Sequence, residues 1–358
     1  MQKKRILFLG ETYRADAITW MNGLKEFGDF EIVTWELHTC SNGVSRLKRL
    51  IELAKSFLTI KSTVRRFNVD MIIAERTTSY GFLAAISEIK PIVIAQQGIT
   101  DLWPENSLLY PFKKILQDYA FKKADLIHAW GPVMAKHMEN SHVDMSKVLV
   151  FPKGINLSFF EFENDNSQTI IKAIVTRSLL PEYKHDIILK AFAILNKRNI
   201  PFELTIVGDG AMKKSLTLLS KELQIEDNVT FTGRINNNDL PKLLQKSNIY
   251  ISMPSTEGVS SSLFEAMACG CFPIVTDLPG NKSWINHKEN GVLVASENIN
   301  KLAEKIIWAF NNPEIRQKSV LENRKFVEEN VNYAINMKKI ADKYHQLINQ
   351  NLVNLCVV

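Results

Sequence analysis

Short apolar runs rich in β-branched residues recur along this chain, each bounded by turn residues and separated from the next by a helix-length segment. Six occur in the first half: Arg5 to Leu9, Glu31 to Trp35, Met71 to Ala74, Ile92 to Ala95, Leu126 to Ala129 and Val148 to Phe151. Runs of this kind read as strands buried on both faces, which calls for a parallel sheet covered by helices on each side. A polar stretch, Glu161 to Gln168, follows Pro152-Lys153-Gly154, and the pattern then starts afresh. Its second set is Ala173 to Thr176, Glu203 to Val207, Val229 to Thr232, Ile249 to Met253, Pro273 to Thr276 and Val292 to Val294. The spacing predicts an α/β protein of two doubly wound domains, residues 1–156 and 157–330, joined near 153 to 168. Residues 331–358 hold a last helical segment, Asn332 to Leu347, with apolar positions at Ile335, Ile340, Tyr344 and Leu347. No strand follows it, so it reads as a terminal crossover or cap.

With 358 residues, 46% of them hydrophobic, the chain is long enough to bury two cores. Its start carries only the apolar run Ile6 to Leu9 behind three basic residues, too short for a secretory leader or a membrane span. Cys40, Cys269, Cys271 and Cys356 form no CxxC pair and no disulfide-like framework, which fits a reducing compartment. The expectation is a soluble cytoplasmic protein.

The net charge of +6 is uneven: residues 1–156 hold 21 Lys and Arg against 16 Asp and Glu, the remainder 23 against 22. Within the basic half, Arg46 to Phe67 reads as an amphipathic helix, with Leu47, Leu50, Ile51, Ala54, Phe57, Leu58 and Val64 near one side and Glu52 its single acid. Such a helix suits either a peripheral contact with an anionic membrane or a solvated surface layer. Nucleic acid is not expected as a partner, since no binding motif is present and basicity is modest.

Open α/β sheets bind ligands beyond the carboxyl ends of their strands, where helix N-termini aim free N–H groups at anions. Val207-Gly208-Asp209-Gly210 ends a strand there and opens a helix at Ala211, so Gly208 and Gly210 let the backbone turn tightly beside a ligand. A dinucleotide fingerprint would place glycine three residues after Gly210, but Lys213 stands there, and no Walker loop occurs. The most informative segment runs from Pro254 to Gly270. Glu257 lies in the loop before a helix that starts near Ser260, and Glu265 lies inside that helix, so the two carboxylates can hold two ends of one extended ligand with a diphosphate between them.

Glu257 and Glu265, followed by Ala266-Met267-Ala268-Cys269-Gly270 and then Pro273, Val275, Asp277 and Gly280, resemble the EX7E signature of the retaining family 4 (group 1) glycosyltransferases. Thr176 to His185, leading into Leu189-Lys190-Ala191-Phe192, is similar to that family's diphosphate-binding Arg and Lys segment. Gly208-Asp209-Gly210, Val229 to Arg234 and Pro254-Ser255 follow in the family's order, and Ala124 to Ile127 with Phe151 to Asn156 and Phe160 look like its closing strand and hinge. The match is specific over about residues 124 to 295.

The resemblance implies a GT-B fold, two Rossmann-like domains facing across a cleft with the C-terminal helix crossing back. It also implies a retaining, metal-independent transfer from a nucleotide-diphosphate sugar, with no cofactor. On this reading Arg177 and Lys184 hold the diphosphate in place of a metal, and Glu265 accepts from the ribose hydroxyls. Glu257 lies near the donor sugar, Ser255, Gly258, Ser260 and Ser261 supply the phosphate cradle, and Arg234 with Ile235 lines the base pocket. A UDP-sugar is the first expectation and a GDP-sugar the second. The acceptor would be a glycan or lipid-linked hydroxyl in cell-surface polysaccharide synthesis; the lipid is suggested by the basic helix and by the basic, aromatic stretch Tyr110 to Lys123. An epimerase or phosphorylase of the same fold, or a GT-B protein that binds without catalysis, stands as the alternative.

The first domain departs from the family pattern. Where many relatives carry a histidine after the strand Ile92 to Ala95, this chain has Gln96-Gln97-Gly98, followed by Asp101. Asp101 either orients the acceptor or sugar, a catalytic role, or caps the next segment. Gly10 allows close backbone approach to the cleft, and Arg14 is either an acceptor or phosphate contact or a helix-start surface residue. Gln97 completes the acceptor-side set. His128 and Trp130 read as core or cleft wall.

Overall fold

The computed structural model describes residues 3–38, 45–96, 98–102, 107–163 and 170–356. The chain divides into two compact units, one of Met1–Lys153 with Tyr333–Val358 and one of Gly154–Asn332.

The first unit runs β1 (Arg5–Leu9), α1 (Ala15–Gly28), β2 (Glu31–Trp35), α2 (Ser45–Phe67), β3 (Met71–Glu75), a π-helical turn (Arg76–Gly81), α3 (Phe82–Ser87), β4 (Ile92–Ala95), α4 (Tyr110–Lys123), β5 (Leu126–Ala129), α5 (Pro132–Asn140) and β6 (Val148–Val150). Its six strands are parallel, in the order β2-β1-β3-β4-β5-β6. Ile6 to Leu9 and Met71 to Ala74 are fully buried, as strands covered on both faces must be.

The second unit continues with β7 (Ile171–Val175), α6 (His185–Lys197), β8 (Phe202–Val207), α7 (Lys213–Glu222), β9 (Val229–Gly233), α8 (Leu240–Gln245), β10 (Ile249–Ser252), α9 (Ser261–Ala268), β11 (Phe272–Thr276), α10 (Pro279–Lys282), β12 (Val292–Val294), α11 (Ile299–Asn311) and α12 (Pro313–Asn330). Its sheet is again six-stranded and parallel, ordered β12-β11-β10-β7-β8-β9. Successive residues of β7 serve opposite layers: Ile171, Ala173 and Val175 join the cluster that holds Leu189, Phe192 and Leu302, while Ile174 joins the one that holds Tyr250, Phe264 and Met267.

The strands expected from sequence are all present, with some ends moved by a residue or two. The turn after Gly210 keeps Ala211 and Met212 out of α7, which starts at Lys213 rather than Ala211. The terminal helix, α13 (Tyr333–Cys356), is longer than its apolar spacing suggested and belongs with the first unit. It packs on α1, where the Tyr333 hydroxyl donates to the Thr19 carbonyl at 2.7 Å and the His345 Nε2 lies 2.8 Å from the Gly28 carbonyl.

His128 and Trp130 are core residues. His128 stacks on Trp130 at a centroid distance of 4.6 Å, and Trp20 meets both rings edge-on. Burial holds the His128 imidazole neutral, its pKa lowered to about 3. Its Nε2 lies 2.6 Å from the hydroxyl of Tyr344 on α13. That bond ties the last helix to a strand of the first sheet, so Tyr344→Phe should lower the unfolding free energy by about 1–3 kcal/mol, the cost of an unpaired buried polar atom. Denaturant unfolding checks this, and nucleotide binding should not change.

Candidate functional site

Strand order reverses once in each sheet. In the second unit β8 lies on one side of β7 and β10 on the other, so the connections leaving these strands diverge and open a crevice beyond their carboxyl ends. The loop after β7 carries Thr176 to Lys184, and the loop after β10 carries Pro254 to Ser260 before α9. Those are the two segments that the sequence marks.

The loops are bonded to one another through backbone. The Leu179 N–H donates to the Asp209 carbonyl at 3.0 Å, and the Met212 N–H to the Leu179 carbonyl at 2.9 Å. Ser255 donates from its N–H and its hydroxyl to the Glu182 carbonyl, at 2.8 and 3.0 Å. Gly208, at φ +142°, lies where a Cβ would collide with the Arg177 carbonyl, and one on Gly210 would collide with that of Leu179. Glycine at these two positions therefore lets the turn after β8 close on the Arg177 loop.

Arg177 and Glu257 form an ion pair, both side chains largely buried. The guanidinium also lies over the ring of Tyr183, 4.8 Å from its centroid, and its Nε has no hydrogen-bond partner. Glu265, the fifth residue of α9, is pushed up to about 7 by burial, with the charge of Arg177 pulling the other way. Tyr250 on β10 is likewise raised by burial and lowered by Arg177. Arg177 is thus the shared cation of a buried group that includes Glu257, Glu265 and Tyr250.

Lys184 does not join that group. Its backbone is left-handed at φ 50°, where it caps α6, and its ammonium pairs with Glu297, in the turn before α11, at 2.8 Å. The pair of cations read from the sequence is therefore a single buried cation with a second held on an exposed carboxylate. A flexible four-carbon stem lets the ammonium take the carboxylate within reach.

Ser260 is the N-cap of α9, buried, its hydroxyl accepting from the Leu263 N–H at 3.3 Å. Ser261 is exposed in the first turn, where the N–H groups lack helical partners. Gly258 packs its carbonyl against Gly280. Arg234 is exposed, and Ile235 packs against the apolar cluster around Tyr250. Among the described residues, no three His, Cys, Asp or Glu side chains are grouped to hold a metal ion. Sequence reasoning passed over Tyr183 and Glu297, because neither belongs to a spacing pattern and each is brought in by a loop.

In the first unit the order reverses between β1 and β3, and a charged group stands at their carboxyl ends. Gly10 is buried against Glu75, and Arg14 pairs with Glu11 at 3.4 Å and Asp16 at 3.3 Å, while Arg76 reaches Glu11 at 2.7 Å. Burial pushes Glu75 up to about 7, Asp16 adding to the effect and Lys153 opposing it. The acidic and basic residues of this group lie in separate turns, which is why no motif announced Glu75. Asp101 accepts from both the N–H and the hydroxyl of Thr77, at 2.8 and 3.0 Å. It caps the π-helical turn Arg76–Gly81, a segment that precedes it rather than one that follows. The Gln96 amide donates to the Gly98 and Ile99 carbonyls. Gln97 lies outside the described residues.

Two doubly wound parallel sheets of these orders are the build of the GT-B fold. HepE from Anabaena, solved in complex with UDP, matches with a TM-score of 0.77 over 97% of this chain and 100% of its own, at 16% identity. Residues 158–326 match the family described as glycosyl transferases group 1. An uncharacterized glycosyltransferase of Haemophilus influenzae is 38% identical over 147 residues, 40% of this chain. The chain spans 41% of that relative's length. The N-acetylgalactosamine-N,N'-diacetylbacillosaminyl-diphospho-undecaprenol 4-alpha-N-acetylgalactosaminyltransferase of Campylobacter jejuni is 24% identical over 331 residues, 88% of this chain and 85% of its own.

The raised pKa of Glu265 gives a test with a defined sign. A ligand that donates hydroxyl hydrogens to this carboxylate favours its ionised form, so nucleotide affinity should rise as pH increases through about 7 and then level off. Glu265→Gln should weaken binding and remove that rise; calorimetric titration from pH 5.5 to 8.5 measures both.

Proposed function

We propose that the protein transfers a sugar, with retention of anomeric configuration, from a nucleotide-diphosphate sugar to a hydroxyl of a glycan or lipid-linked acceptor. The pathway served is cell-surface polysaccharide synthesis. The observation that carries the reading is Arg177, held between Glu257 and the Tyr183 ring at the strand-order switch of the second unit, with Glu265 close enough to feel its charge. A UDP-sugar is preferred over a GDP-sugar because HepE, which shares the fold, binds UDP. The undecaprenol-linked substrate in the name of the Campylobacter relative supports a lipid-linked acceptor.

The diphosphate lies on the N-terminus of α9, where Ser261 and its neighbours offer N–H donors. Arg177 gives two of its donors to the phosphates, and Lys184 leaves Glu297 for the same anion. Both cations then stabilise the charge that grows on the leaving diphosphate, the work a divalent metal does in other transferases. Glu265 accepts from the ribose hydroxyls. Glu257 keeps Arg177 oriented and lies beside the sugar. The sugar bond breaks towards the diphosphate, the acceptor hydroxyl enters on the same face, and its proton passes to a leaving-group phosphate oxygen. Neither carboxylate acts as a nucleophile.

Two variants separate the cations. Arg177→Ala should lower kcat/KM at least about a hundredfold, the usual loss for a donor that stabilises developing anionic charge. Lys184→Ala, whose ion-pair partner Glu297 is exposed, should lose transfer to a similar degree with its melting temperature unmoved. Transfer assays with UDP-sugars and GDP-sugars, run with EDTA and with magnesium, check both predictions. Unchanged rates in Arg177→Ala would sink the reading, and so would a requirement for magnesium.

A further inference from the structure

The surface of the first unit carries an apolar stripe where a solvated layer was one expectation, and it lies on α4 rather than on α2. The inward side of α4 is Gln117, Ala120 and Phe121, all buried. Its outward side is Phe112 at 55%, Ile115 at 66% and Tyr119 at 36%, and Leu108, 100% exposed, lies in the turn just before it. Steps of three and four residues put Phe112, Ile115 and Tyr119 on one face of the helix, along about 10 Å at 1.5 Å per residue. Leu109 widens the stripe at its start. Two lysines, Lys122 and Lys123, border it, and the single acid of the helix, Asp118, pairs with Lys114 at 2.8 Å. Lys123 lies over the Tyr119 ring, 5.7 Å from its centroid. On α2 the described side chains turn Ser56 and Ile60 inward and leave Ile51, Leu58 and Phe67 as exposed apolar residues.

We propose that this face of α4 docks the protein on an anionic lipid bilayer. An exposed apolar face bordered by lysines matches the interface of such a membrane in both respects: the stripe enters the headgroup and acyl boundary, and the ammonium groups meet the lipid charge. A second copy of the chain is a poorer match, because joining two such faces brings two lysine-rich borders together. No described helix is long and apolar enough to cross a membrane, so contact through α4 is attachment along the surface. The docking is independent of the transfer reading, since none of these residues belongs to the nucleotide site.

The test is sedimentation of the full chain with vesicles of phosphatidylcholine alone or mixed with phosphatidylglycerol. The protein should pellet with the mixed vesicles and not with the neutral ones. Phe112→Ser with Ile115→Ser, and separately Lys122→Gln with Lys123→Gln, should each weaken partitioning by about tenfold or more, whereas Leu58→Ser with Lys61→Gln on α2 should change it less than about twofold. All six positions are on the surface, so melting temperature and nucleotide binding should stay at parent values, and those two measurements keep a failed docking separate from a failed donor site. The proposal is overturned if the parent ignores anionic vesicles or if the α4 variants pellet like the parent. It is equally overturned if gel filtration shows a dimer that the α4 variants dissolve.

Discussion

A guanidinium and a carboxylate removed from water together are stable only while each has the other. Arg177 and Glu257 are eighty positions apart in the chain and largely buried as a pair, and deleting one member of such a pair typically costs about 3–5 kcal/mol because a charge is stranded. Every other feature of the second unit's crevice is arranged around holding them. Gly208 and Gly210 let the β8 turn close on the backbone of the Arg177 loop, and Ser255 fastens the Glu257 loop to Glu182. Tyr183 covers the guanidinium, which leaves Nε without a protein partner and the cation poised for an anion.

Burial gives the same crevice its pH sensitivity. Glu265 titrates near neutrality because its surroundings are poor in water and only Arg177 opposes the shift. Its position five residues into α9, behind an N-cap already satisfied by Ser260, places a proton-exchanging carboxyl beside the helix terminus that anions favour. The first unit repeats the device in another form. There Glu75 is buried at the matching reversal of strand order, and charges from three separate turns surround it.

The alternation of apolar runs and helix-length segments made the architecture legible, because a parallel strand buried on both faces leaves no other pattern. The Arg177, Glu257 and Glu265 positions were legible through their spacing and neighbours. Lys184 was legible as a cation but not as the partner of Glu297, since a pairing across 113 positions depends on where the turn before α11 falls. Asp101 carried a turn signal, yet the segment it caps lies earlier in the chain, and local rules look only forward. Charge counting pointed to α2 as the basic amphipathic surface, but amphipathicity alone does not say which face is turned in. On α4 the apolar stripe is the one left outside.

The sequence by itself determined the two six-stranded sheets, the order of the motifs in the second half and the resemblance to the group 1 glycosyltransferases, all of which follow from residue type at short range. Tertiary structure alone decided which carboxylate neutralises Arg177, where Lys184 rests, that the Tyr344 and His128 contact holds the last helix to the first sheet, and which hydrophobic stripe faces solvent. The reason is physical. Strand and helix formation are governed by side chains within a few positions, whereas burial, and with it every ion pair and shifted pKa described above, depends on which distant segments exclude the water.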